Sequence, residues 1–206
     1  MVNEKTLLNT LILLFGVSII GTNAFLMSPI LNDIGITLGA STSEVSRAVA
    51  AYGGTTALSG LLFTRFSARY EFHHSLIVSG LVLALGILIT GLSDSWEMLV
   101  ISQGIAGLGA GVMLPTIYSM VAVIAPKGKE STILGYIITG WSISMVIAVP
   151  ISAFISDLWG WRYSYFIIST IATIMLMGFS KLPKVSQTKD NETLTLIKVL
   201  RISTQN

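Results

Sequence analysis

The sequence predicts an all-α membrane protein of six spanning helices, and three observations carry that reading. Apolar residues make up 52% of the chain and charged ones only 11%, against roughly 25% charged in a soluble domain. The mean hydropathy is +0.79. The few charges also fall in groups that cut the chain into apolar segments close to the roughly 20 residues a spanning helix needs. Those segments are 7–30, 47–64, 75–93, 98–124, 132–156 and 163–180, with 182–206 left as a cytoplasmic tail or the start of a central loop. A membrane barrel would show segments of about 10 residues alternating apolar and polar, whereas LIVSGLVLALGILITGL is apolar on every side.

The first span has no charge between Lys5 and Asp33, so it outlasts the roughly 7–15 apolar residues of a secretory signal. The second carries Gly53, Ala57, Gly60 and Thr64 at helical spacing, and a loop holding His73 and His74 separates it from the third. The fourth contains QGIAGLGAGVMLP, whose glycines raise the question of a phosphate-binding loop. A dinucleotide fingerprint starting at Gly107 and Gly109 would need glycine at 112, which is Val112, and no Gly-Lys-Ser/Thr follows for a Walker loop. The alternative is close packing in lipid, where small side chains let helix backbones approach. Gly107 and Gly111 form a G-x-x-x-G pair, and Gly140, Ser144, Ala148, Ser152 and Ser156 recur every four residues along the fifth span. Pro115 and Pro150 lie inside spans four and five, where each removes a backbone donor and bends its helix. Ahead of the sixth span, Trp159, Trp161, Tyr163 and Tyr165 read as an aromatic belt at the membrane boundary. In the tail, Leu194 to Ile202 mixes apolar residues with Lys198 and Arg201, the composition of a short interfacial helix.

Cations set the orientation, because positive loops stay in the cytoplasm. With both termini inside, ten of the twelve Lys and Arg lie on the inner side, and only Arg47 and Arg162 lie outside. Arg47 is expected to pair with nearby Glu44 at the surface. A net charge of +2 is too small to suggest nucleic acid as a partner, and the absence of cysteine removes disulfides and Cys-ligated metals. No metal or other cofactor is expected. An intramembrane enzyme would need a nucleophile and base, or a metal motif, within the bilayer, and both histidines fall outside the spans.

The pattern of motifs resembles the N-terminal half of a major facilitator superfamily transporter, in the proton-linked drug and sugar efflux branch. The family's G-x-L-x-D-R-x-G-R-R loop is matched by GLLFTRFSAR, which keeps Gly60, Leu62, Arg65 and Arg69 but has Thr64 for the aspartate and Ser67 for the glycine. The family's R-x-x-x-G-x-G-x-G is matched by Gly107, Gly109 and Gly111, with Gln103 in place of the arginine. The antiporter motif of the fifth span is reduced to AVP ending at Pro150, and Gly160, Trp161, Arg162 and Phe166 open the sixth.

The resemblance implies half of a twelve-helix fold, made of two inverted three-helix repeats, with substrate at the midplane between halves. It implies a secondary carrier exporting small amphipathic solutes such as drugs or sugars, in the cell (inner) membrane, working with a missing C-terminal half or a second copy. Among the polar residues on the spans it assigns to the cavity, Asn23, Tyr52, Gln103, Tyr118 and Trp141 are the expected substrate contacts, with Thr55, Thr56 and Ser142 nearby. Gly60, Arg65, Arg69, Gly107, Gly111 and Pro150 are the expected gating elements. The small faces of spans two and five would meet the absent half. Many relatives have an acid in the first span, where this chain has Asn23. A second reading is a membrane interaction protein or non-transporting remnant.

Overall fold

The computed structural model describes residues 4–67 and 70–185, excepting the side chains of 64–67. The expected gating residue Arg69, the side chain of Arg65 and the helix expected near 194–202 therefore lie outside the described residues. Within them the chain forms six helical rods joined by short connections. They are α1 (Glu4–Leu38), α2 (Thr42–Ser67), α3 (Phe72–Gly91), α4 (Trp96–Ile124), a rod made of α5 (Glu130–Ile143), a π-helical turn (Ser144–Ala148) and α6 (Val149–Trp159), and α7 (Trp161–Phe179). Five rods are long and apolar enough to cross a membrane, α2 being the exception. Its Ser, Thr, Gly and Ala residues lower its apolarity.

The rods extend past the apolar segments, since helix hydrogen bonding continues into the polar boundary until a specific stop. α1 runs on through Asp33 to Leu38 and ends at Gly39, which takes φ +62°. Gly39 N donates to Ile36 O and Ala40 N to Gly35 O at 2.9 Å, closing the last carbonyls in a Schellman motif. α2 starts with a capping box. The Glu44 carboxylate accepts from Ser41 N at 2.8 Å and from the Ser41 hydroxyl at 2.7 Å, and Glu44 N donates back to Ser41 Oγ. Glu44 is thus used locally. Its expected partner Arg47 acts on it electrostatically and also lies over the Trp96 ring, 5.2 Å from the centroid, which joins α2 to α4.

α4 is the centre of the bundle, packing on both α2 and α3, while α3 also packs on α7 and α1 packs on α5. Its glycines explain how. A Cβ on Gly107 would collide with Tyr52 O and Thr55 Oγ1 of α2, and one on Gly111 with Thr56 O. On the opposite side, a Cβ on Gly109 would meet Leu83 N and Ser79 O of α3 at 2.5 Å. Alternate glycines thus serve alternate neighbours. Hydroxyls add cross-links: Thr55 Oγ1 donates to Gly104 O at 2.9 Å, and Ser59 Oγ to Leu108 O at 2.6 Å. Pro115 leaves Gly111 O without its usual helical donor, and that carbonyl faces Gly60.

One expected face, that of the fifth span, is corrected. On α5 and α6, Gly140, Ser144, Ser152 and Ser156 point into this chain. Gly140 abuts Leu14 and Ser18 of α1, Ser144 abuts Gly21, and Ser164 of α7 donates to Ser152 O at 2.7 Å. On α2 the packed face is Tyr52, Thr55, Thr56 and Ser59, whereas Gly53 and Ala57 are exposed. On the fifth span a four-residue spacing thus identifies a smooth face but not its partner. The aromatic belt also divides: Trp159 and Tyr163 are exposed, but Trp161 and Tyr165 are buried and meet edge to face at 5.9 Å. Arg162 closes this end by donating to Ser93 O at 2.8 Å and pairing with Asp94 at 3.3 Å.

Candidate functional site

Three of the five expected substrate contacts meet inside the bundle. Asn23 Nδ2 donates to Gln103 Oε1 at 3.1 Å, and Gln103 Nε2 donates back to Asn23 Oδ1 at 3.4 Å and to Thr90 Oγ1 at 3.1 Å. Thr90 Oγ1 donates to Gly86 O and lies 2.9 Å from Ser102 Oγ, which donates to Leu99 O. The Tyr52 hydroxyl donates to Ile20 O at 3.1 Å. The exposures are 2% for Asn23, 2% for Gln103 and 7% for Tyr52. Amides left unpaired in such a place would each cost about 1–3 kcal/mol, so the reciprocal pair is what makes their burial tolerable. The network ties α1 to α4 and α3 and contains no charge. Its unpredicted members, Thr90 and Ser102, have no sequence signal beyond a hydroxyl in an apolar run.

The other two expected residues form a separate, partly open group. Trp141 Nε1 of α5 donates to Tyr118 OH of α4 at 3.3 Å. Phe25 of α1 meets the Trp141 ring edge-on, with centroids 5.8 Å apart. All three are half-buried, and Ser142 beside them is exposed. Gly21 makes room for this group, because a Cβ there would press on Trp141 and Ser144. One turn further along, the π turn Ser144–Ala148 precedes Pro150, which stands in the first turn of α6. A π turn shifts the hydrogen-bond register by one residue, which accommodates a proline that cannot donate. The expected gating element Pro150 thus sits beside a non-ideal stretch of helix next to Trp141.

A crevice of about 740 Å³ opens elsewhere, between α2, α3 and α4, and is lined by Ser59, Phe63, Val78, Leu108, Val112 and His74 among others. None of the five expected contacts borders it.

The family model for the Major Facilitator Superfamily matches residues 13–203, and the chain belongs to that superfamily. Its fold is half of the twelve-helix architecture, two inverted three-helix repeats of membrane-spanning type. Among curated proteins, it is 26% identical over 161 residues to the uncharacterized MFS-type transporter YwfA of Bacillus subtilis (strain 168), covering 78% of this chain and 39% of the relative. Among solved structures, it resembles the proton:xylose symporter XylE bound to 6-bromo-6-deoxy-D-glucose, with a TM-score of 0.79 at 16% identity over 89% of this chain and 46% of that one. It also resembles the peptide transporter POT in complex with sulfate, with a TM-score of 0.70 at 15% identity over 97% of this chain and 44% of that one. The chain spans less than half the length of each of these proteins.

Proposed function

We propose that this chain is one six-helix unit of a secondary carrier that exports a small amphipathic solute such as a drug or sugar, with Trp141, Tyr118 and Phe25 meeting the solute. The observation that carries this reading is their half-open position. A side chain that faces a second unit across a central cavity must keep some open surface when this unit stands alone. Trp141 and Tyr118 meet that condition, while Asn23, Gln103 and Tyr52 stand one layer behind them as a polar brace. A Trp-Tyr-Phe group supplies apolar ring area together with an N–H and an O–H, which suits an amphipathic ligand. A small solute fits the two solved relatives, one a proton:xylose symporter with a sugar analogue bound and the other a peptide transporter.

The second unit is either a companion C-terminal half or another copy of this chain. Gly53, Gly54 and Ala57 of α2 are exposed, and nothing lies within 4 Å of a Cβ built on either glycine, so another helix backbone could approach there. The α5–α6 rod supports the same reading, with 22% of its most apolar window buried against 67% for α1. Proton coupling, where present, is supplied by that second unit, because among the described residues no carboxylate is buried.

Transport tests this directly. In vesicles containing the chain with its companion unit, Trp141→Ala is expected to lower solute flux at least tenfold while Trp141→Phe keeps most of it. Equal flux for Trp141→Ala and wild type would remove the aromatic group from the solute path, and no flux from wild type with any companion would favour the interaction-protein reading. The proposed site is the inner membrane with both termini cytoplasmic. Cysteine at Ser43 should then react with an impermeant reagent added outside intact cells and cysteine at Lys127 should not, and the reverse pattern would invert the topology.

A further inference from the structure

At the end of the bundle away from Arg162, the α2–α3 connection meets the chain leaving α7, where Phe72 N donates to Val185 O at 3.1 Å. The histidines expected in the loop belong to the first turn of α3, and His73 is buried at 5% exposure. Its Nδ1 makes no hydrogen bond. That nitrogen lies 3.2 Å from Glu71 Oε2, which is also 3.6 Å from His74 Nδ1. One ligand atom from each of the three residues falls within 4.8 Å of the others, and the two imidazole rings stand 4.0 Å apart.

We propose that Glu71, His73 and His74 form a binding site for a divalent first-row transition ion of the zinc kind. Tetrahedral zinc with bonds of about 2.0–2.2 Å to imidazole and carboxylate separates its ligand atoms by about 3.3 Å; the two edges to Glu71 Oε2 lie either side of that spacing, and the third closes to it from within 4.8 Å. Two imidazoles with one carboxylate leave the fourth position for water, and nitrogen donors select zinc, nickel or copper over calcium or magnesium. His73 Nδ1 is buried, makes no hydrogen bond and faces the Glu71 carboxylate at 3.2 Å, so its burial is costly without a proton or a metal ion between the two. The surroundings oppose a cation held by charge alone: Lys184 acts on His73 electrostatically, and the start of α3 carries the positive end of the helix dipole. Affinity therefore comes from donor bonds, again the behaviour of a transition ion.

The test is titration of the detergent-purified full chain, freed of any polyhistidine tag, with zinc chloride by calorimetry and with cobalt chloride by visible absorption. One zinc per chain is expected, with the intense visible bands of four-coordinate cobalt. His74→Ala, an exposed position, should weaken zinc at least tenfold with an unchanged melting temperature in the metal-free state. His73→Gln with His74→Gln should abolish binding, and Lys184→Gln should tighten it. Equal zinc affinity for wild type and His74→Ala, or a weak six-coordinate cobalt spectrum, would overturn the site.

Discussion

Gln103→Arg alone is expected to destabilise the folded bundle by about 3–5 kcal/mol, the loss typical of an uncompensated buried charge. Asn23→Asp introduced with it should restore most of that stability. Gln103 and Asn23 exchange two hydrogen bonds at 2% exposure each, so a guanidinium placed there has no anion within the layer. Both are positions where the motif resemblance implies a charged residue, a basic one at Gln103 and in many relatives an acid at Asn23. The two positions meet in space as a neutral, reciprocal amide pair. Unfolding of the two single variants and the double variant in one detergent gives the coupling energy. Additive losses in the double variant would mean the two sites do not interact. The double variant also introduces a titratable carboxylate, so a new pH dependence of transport should appear in it, and unchanged pH dependence would exclude this site from coupling.

The second large effect is expected at Gly109. Valine there must place its Cβ about where Leu83 N and Ser79 O stand, at 2.5 Å, and backbone atoms have no rotamer to yield. Overpacking of this kind typically costs about 1–3 kcal/mol and more where nothing can move, so α3 and α4 should separate and the melting temperature in detergent should fall sharply. Gly53→Ala is the control. Its Cβ meets nothing within 4 Å, and alanine favours a helix over glycine by roughly 0.5–1 kcal/mol, so the isolated unit should be as stable as wild type or slightly more so. Similar losses for both variants would show that helix propensity, rather than the α3–α4 contact, governs the glycines of this bundle.

These glycines also mark how far the sequence could be read. Their spacing identified packing surfaces correctly on α4, because in lipid a smooth face at helical period has little other use. It could not say which helix each face meets. Gly107 and Gly111 turn toward α2 and Gly109 toward α3, a choice set by the rotation of α4 about its axis and hence by every neighbour at once. The small face of α5 and α6 shows the same limit, turning to α1 and α7 instead of away from the chain. At the candidate site the residue types were legible, since an amide or indole inside an apolar run must find a partner. The partners were not, and the five candidates divided into a closed brace and a half-open aromatic group.

Hydropathy and the placement of charge by themselves determined that this chain is a bundle of apolar helices with short polar turns, because a backbone in lipid must satisfy its hydrogen bonds within each helix. Only the tertiary structure decided that Asn23 bonds to a residue 80 positions away, that Trp161 and Tyr165 are buried within the bundle, and that Glu71, His73 and His74 share one corner. Such meetings depend on how each rod is rotated and how deep it sits. Period and composition constrain neither, since apolar side chains can pack equally well against lipid or against another helix.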